Sequence, residues 1–170
     1  LEEENRTLST KYEEQVSITE ELEKDRTELE EKVTQAAVLK AYNIVCEGIR
    51  MRAGEREDVT FKARRVDAIR VSFTLSENPV AEPGPKTLYV RIARPDNVIV
   101  TRGKDDAFTF EYEGNRINFS MKEEIDYQNK ALDVQMHWNK QTEEPAMKGV
   151  YSVSIYADGR EIGFSQFELE

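Results

Sequence analysis

The chain has 170 residues, enough for one domain with an appendage, and a net charge of -10. One cysteine and one histidine exclude an intrachain disulfide, paired-cysteine zinc patterns and most Ser-His-Asp or histidine acid–base schemes. No run of 18 apolar residues is present to span a bilayer as a helix.

Glycine and proline divide the chain. Residues 1 to 47 hold neither, whereas all 8 glycines and all 5 prolines come later. A long helix followed by a turn-rich β domain produces that asymmetry. The first 42 residues also carry 12 acidic against 6 basic side chains, a net -6 that leaves -4 for the rest.

Within the first segment, Leu1, Leu8, Leu22 and Leu29 repeat at seven residues, with Gln15 and Ala36 completing the series. These are d positions, and the matching a positions are Asn5, Tyr12, Thr19, Arg26, Val33 and Lys40. Apolar d sites beside polar a sites hold an assembly weakly but select its register, and Asn or a charge at a favours a parallel dimer over a trimer. Residues 1–42 are therefore predicted to form a coiled-coil α-helix that makes a parallel homodimer. The expected oligomer interface comprises Leu1, Asn5, Leu8, Tyr12, Leu22, Arg26, Leu29, Val33 and Ala36. A single solvated spacer helix is the competing reading. The chain starts with Leu1, inside a heptad, and reads as a piece of a longer protein; any membrane contact would be made by a segment upstream.

From residue 43 the period changes from seven to two. A leading strand is expected around Ile44 to Met51, then Ile69, Val71, Phe73 and Leu75 alternate with Arg70, Ser72 and Thr74. Leu88, Val90 and Ile92 alternate with Tyr89 and Arg91. Phe108, Phe110 and Tyr112 lead through Glu113-Gly114-Asn115-Arg116 into Ile117, Phe119 and Met121, a hairpin in which Gly114 and Asn115 are expected to supply positive φ. Leu132, Val134, Met136 and Trp138 form another alternating strand. Val150 to Ala157, the turn Asp158-Gly159 and Ile162 to Leu169 close the chain as a second hairpin. Pro83-Gly84-Pro85 and Thr142 to Pro145 read as loops. Seven or eight strands at this spacing make 43–170 an antiparallel, immunoglobulin-like β-sandwich, so the fold class is mostly β behind an N-terminal helix.

Candidate chemistry is sparse. His137 falls on the solvated face of its strand, and Cys46 sits in the mixed apolar stretch Ile44-Val45-Cys46, where an inert buried thiol is expected. Asp105-Asp106 and Asp96 lack the alternating oxygen-ligand spacing of a calcium loop, and Pro95-Asp96-Asn97 is a turn sequence. Gly103-Lys104 lacks the upstream glycine and following helix of a phosphate loop. Glu123, Glu124 and Asp126 suggest paired carboxylates, but adjacent strand residues point to opposite faces. Arg50, Arg52, Arg64 and Arg65 are too few and too strand-like to neutralise a nucleic-acid backbone. No catalytic residue, metal ligand or cofactor is expected, and the chain reads as a non-enzymatic interaction protein without a nucleic-acid partner. The alternative is a carbohydrate- or ligand-binding module, for which alternation offers Tyr89 and Tyr156 as exposed aromatics, although two isolated tyrosines are more often cross-strand packing.

Several stretches carry a resemblance: Ala41-Tyr42-Asn43-Ile44, Val71 to Leu75 followed by Asn78, and Gly84 to Ile92 with Pro95-Asp96. Gly149 to Val153, Tyr156 to Gly159 with Ile162-Gly163, and Phe167 to Leu169 continue it. Through these the last 130 residues or so resemble an uncharacterised family of Bacteroides-type bacteria, built as a membrane helix, a long coiled coil and a C-terminal β-sandwich. Some members carry a chromosome-segregation or cell-division label, which coiled-coil similarity alone can produce. The resemblance implies a bacterial cell-envelope location, anchored in the inner membrane and facing the periplasm, where the sandwich would meet a protein or envelope partner. It transfers no catalytic residue.

Overall fold

The computed structural model describes residues 1–170, which divide into two units, Leu1–Val38 and Leu39–Glu170. The first unit is one helix, α1, Glu2–Ala36, of 35 residues. At 1.5 Å per residue it is about 52 Å long. Glu2, Glu3 and Glu4 face the positive end of its dipole, which favours the N-terminus in the absence of a side-chain cap. Thr7, Thr10, Thr19, Thr27 and Thr34 each donate their hydroxyl to the carbonyl four residues earlier, so these side chains are satisfied on the helix itself. No residue of α1 is buried.

The helix stops at Ala36. Ala41 and Tyr42, which the heptad spacing assigned to the helical segment, open the first strand instead. Residues of the second unit form ten strands: β1 Ala41–Arg52, β2 Arg56–Val59, β3 Ala68–Leu75, β4 Gly84–Ala93, β5 Thr109–Tyr112, β6 Asn115–Asn118, β7 Met121–Tyr127, β8 Leu132–Asn139, β9 Gly149–Ala157 and β10 Arg160–Leu169. One antiparallel sheet has the order β2-β1-β3-β8, and the other β10-β9-β4-β7. Setting aside β2 and the β5–β6 hairpin, the remaining strands run A-B-E on one sheet and G-F-C on the other. β7 lies beside C, the connectivity of an immunoglobulin-like sandwich with an extra strand on its GFC sheet.

The sequence alternation translates directly into this packing. Ile69, Val71, Phe73 and Leu75 of β3 and Val134, Met136 and Trp138 of β8 point inward from one sheet. They meet Leu88, Val90 and Ile92 of β4 and Tyr151, Val153 and Ile155 of β9 from the other, in one continuous core. The expected closing hairpin is present. Ala157 pairs with Arg160, and Asp158 (φ 51°) and Gly159 (φ 72°) both occupy the left-handed region of a type I′ turn.

Two expectations are corrected. The first hairpin turns on Glu113 (φ 49°) and Gly114 (φ 77°), with Asn115 already paired to Tyr112, so Glu113 rather than Asn115 shares the positive φ with the glycine. Nor do Ile117, Phe119 and Met121 form one strand. The chain breaks at Ser120, whose N–H donates to the Val90 carbonyl and whose hydroxyl accepts from the Ile92 N–H and donates to the Val100 carbonyl. Before that break the polypeptide belongs to the β5–β6 hairpin, and after it to the main sheet as β7.

Candidate functional site

The residues expected at a helical interface are all solvent-exposed, among them Leu8 at 69%, Leu22 at 63%, Leu29 at 62% and Val33 at 56%. Leu22, Arg26, Leu29 and Val33 flank one shallow apolar groove along α1, bordered by Asp25, Glu30 and Thr34. Tyr12 borders a second groove with Val16 and Thr19. Arg26 is tied to Glu30 by an i,i+4 ion pair at 3.1 Å.

Tyr89 and Tyr156 pack across strands, the more usual role of two isolated tyrosines, and do not form an exposed platform. Tyr89 and Tyr156 are register partners on the outer face of the second sheet, and the β5–β6 hairpin lies over them. Tyr89 stacks on Phe110 at 4.4 Å and 7°, Phe110 meets Tyr156 at 5.1 Å, and Phe119 tilts against Tyr89 at 5.3 Å. Tyr156 is left only 5% exposed. These aromatics form a second small core rather than a binding surface.

Other candidate groups are engaged in structural pairs. Arg70 bridges Glu47 and Glu57 on the outer face of the first sheet, and His137 Nε2 stands 3.5 Å from Glu57. Arg50, Arg52 and Arg65 share a concavity with Glu57 and Asp58, and Arg52 is paired with Asp58, so the basic cluster is interleaved with acids. Asp96 accepts from Arg94 (3.1 and 2.6 Å) and caps the Pro95–Val98 turn, where Arg94 N–H donates to the Val98 carbonyl. The guanidinium beside it holds the Asp96 carboxyl below the usual range. No group of three or more His, Cys, Asp or Glu is gathered as cation ligands. Cys46 is buried, and that burial pushes its thiol up to about 11, against the pull of a hydrogen bond with Ser165.

A cavity lies between the two sheets at one end of the sandwich. Ala41, near where the chain enters the sandwich, pairs with Leu75 at the other end. The cavity is about 260 Å³. Val66, Ile69 and Val100 supply apolar floor, the β4–β5 connection supplies Arg94 and Thr101, and the β8–β9 connection supplies Lys140 to Thr142 and Glu144 to Met147. Tyr151 donates its hydroxyl to the Met147 carbonyl at 2.8 Å and stacks on Phe167, which fixes both the loop and the ring. Burial raises the Tyr151 phenol above its ordinary value, so it stays a neutral donor. Trp138 also lines the cavity. It is 8% exposed, and its indole N–H has no hydrogen-bond acceptor. Sequence alternation correctly turned Trp138 inward and called Thr142 to Pro145 a loop, but nothing in the pattern signalled an unsatisfied donor or a cavity beneath that loop.

Two solved structures align with this chain. The Pseudomonas fluorescens alkylpurine DNA glycosylase AlkC, bound to DNA containing an abasic site analog, aligns over 79% of this chain at 17% identity and a TM-score of 0.36. This chain spans only 31% of that protein's length. An immunoglobulin-like protein from Pseudomonas aeruginosa aligns over 79% of this chain and 98% of its own at 15% identity, with a TM-score of 0.40. Neither is near enough to carry residues or chemistry across, and no curated protein matches. A family model does match, over residues 42–170, which takes in nearly the whole of the sandwich from the second residue of β1 to the last residue of the chain. On that match the chain belongs to the family described as a domain of unknown function, DUF8428.

Proposed function

We propose that the protein is a non-enzymatic interaction module, in which α1 pairs with a second copy as a parallel coiled coil and the sandwich engages a protein or cell-envelope partner. The observation that carries this reading is a 35-residue helix with no buried residue and an apolar seam at seven-residue spacing. An isolated helix gains little from propensity alone, whereas pairing two copies removes the Leu8, Leu22, Leu29 and Val33 side chains from water. Asn5 and Arg26 at a sites would favour a dimer in register over larger assemblies. An inner-membrane anchor upstream and a periplasmic location extend the proposal through the family resemblance. No acid–base or nucleophilic set is gathered around the cavity at the end of the sandwich, which supports a binding role over a catalytic one.

Sedimentation equilibrium tests the pairing. The intact chain should associate at high micromolar concentration, and a truncated chain beginning at Val38, which retains the buried Leu39, should be monomeric. Two monomeric species would remove the coiled coil, and equal association of both would assign the interface to the sandwich.

A further inference from the structure

We infer that the arginine-lined face of the β1–β2 hairpin binds a segment of a partner polypeptide rich in glutamate or aspartate. The inference rests on the reading that the sandwich engages a partner, whose chemistry it names, and does not depend on how α1 associates.

Alternation sorts the side chains of this hairpin. Arg50 pairs in register with Asp58 and Arg52 with Arg56, so these four share one face, while Ile49, Met51, Glu57 and Val59 take the other. Arg50, Arg52 and Asp58 line a shallow concavity together with Arg65, which comes from the 3-10 turn Ala63–Arg65. From Arg50 to Arg65 the chain holds six basic against three acidic side chains, although its overall net charge is -10.

The three acids do not cancel this face. Glu55 lies in the hairpin turn, between the two strands. Glu57 belongs to the opposite face, where its carboxylate stands 3.4 Å from Arg70 and 3.5 Å from His137. Asp58 is committed to Arg52. Arg50, Arg56 and Arg65 are left without an ion pair.

Two features set this face apart from ordinary solvated charge. Like charges directly opposite on a sheet disfavour pairing, yet Arg52 and Arg56 are such a pair, and β2 has no buried residue to offset the cost. A strand that breaks a local rule and adds nothing to the core is where function rather than folding sets the residues. The ligand class follows from the guanidinium group, whose planar fork matches a carboxylate, and the Arg52–Asp58 pair is that recognition already formed within the face. Arg50, Arg56 and Arg65 present the same fork outward from two strands and a separate turn, a spread that suits several carboxylates on one peptide better than one small anion. A lipid surface fits less well, since the hairpin tip, Ala53-Gly54-Glu55, would bring an acid and no large apolar side chain to it.

The intact chain is titrated with fluorescein-labelled octaglutamate, followed by anisotropy, with labelled octaglutamine as the uncharged control. Because the chain as a whole repels a polyanion, saturable binding reports a local cationic face. The expected result is saturable binding of octaglutamate that weakens as salt is raised, with none of octaglutamine. Affinity should fall by about tenfold or more in the double variant Arg50→Gln/Arg56→Gln and, from a different element, in Arg65→Gln. Lys122→Gln, on β7 of the other sheet, should leave it unchanged. Relief of the Arg52–Arg56 repulsion should keep the urea midpoint of the double variant at or above that of the wild type, which separates lost binding from lost fold. The α1 pairing is read by sedimentation equilibrium instead, so the two readings fail separately. No saturable binding of octaglutamate, equal binding of octaglutamine, or unchanged affinity in both arginine variants would overturn the inference. Tighter binding of octathymidylate or of phosphatidylglycerol vesicles, lost in the same variants, would overturn it too, by assigning the face to phosphates.

Discussion

Replacing Gly48 with alanine tests how the sandwich is closed along β1. A Cβ at this position would lie 2.4 Å from the Thr60 carbonyl oxygen and 2.9 Å from Val66 Cγ2. The Thr60 oxygen would have to withdraw by about 1.0 Å to reach the 3.4 Å of ordinary contact. That segment is not free to move, because Thr60 N–H donates to the Gly48 carbonyl at 2.8 Å. The next residue, Phe61, accepts from the Glu170 N–H at 2.7 Å, and Ala63 N–H donates to the Glu170 carbonyl at 2.9 Å. Overpacking of this kind costs about 1–3 kcal/mol, and loss of one backbone hydrogen bond adds about 0.5–1.5 kcal/mol. Alanine in a strand recovers about 0.5–1 kcal/mol of the glycine entropy. The net expectation is destabilisation of about 2 kcal/mol, read as a lower urea midpoint with an unchanged slope. At roughly 3–5 °C per kcal/mol for a domain of this size, Tm should fall by about 6–10 °C. A neutral or stabilised Gly48→Ala variant would refute the reasoning, by showing that the Thr60–Glu170 clamp yields cheaply.

Gly159→Val should destabilise the domain by about 1 kcal/mol or more, since a β-branched residue has no unstrained place at φ 72°; an unchanged urea midpoint would contradict the type I′ assignment. Cys46 should resist a thiol reagent at pH 8 in the native chain and react fully once unfolded. Its folded pKa of about 11 lies above the unfolded value near 8.5, so the unfolded state releases the proton first. The thiol's contribution to stability is therefore complete below about pH 8.5 and is lost as pH rises toward 11. Cys46→Ala should lose less stability than the wild type between pH 7.5 and 10.5, and identical losses would place the thiol in contact with water.

The strands that could be read from the sequence are those with one wet and one dry face. β3 and β8 alternate cleanly because each sits inside or beside a sheet whose inner face makes the main core. β2 was invisible because Arg56-Glu57-Asp58-Val59 has no buried position; it pairs with β1 at an edge and is selected by ion pairing and the preceding turn. The β5–β6 hairpin was recognised as a hairpin but not placed. Phe108, Phe110 and Phe119 look like ordinary core alternation, and only the structure shows that they serve a second core outside the sandwich. The same fact removed Tyr89 and Tyr156 as candidate contacts, since alternation tells which face a residue occupies but not what covers that face. For α1 the seven-residue register is legible in the sequence, and in the structure every residue of that register on the helix is exposed. Trp138 illustrates the remaining gap, because a missing acceptor is a property of three-dimensional neighbours rather than of residue order.

The course of the first and last strands has a mechanical consequence. Gly163 lies against Ala41 and Ile44, while six residues further along β10 Leu169 lies against Gly48, so β1 and β10 advance in the same direction although they belong to different sheets. The polypeptide thus enters the sandwich at one pole and leaves it at the other. Tension applied between Leu39 and Glu170 would run along both strands, loading the β1–β3 and β9–β10 ladders in shear, with many hydrogen bonds strained together rather than opened one after another. A domain threaded in this way can sit in series with a tether and carry force from pole to pole without first unzipping a sheet.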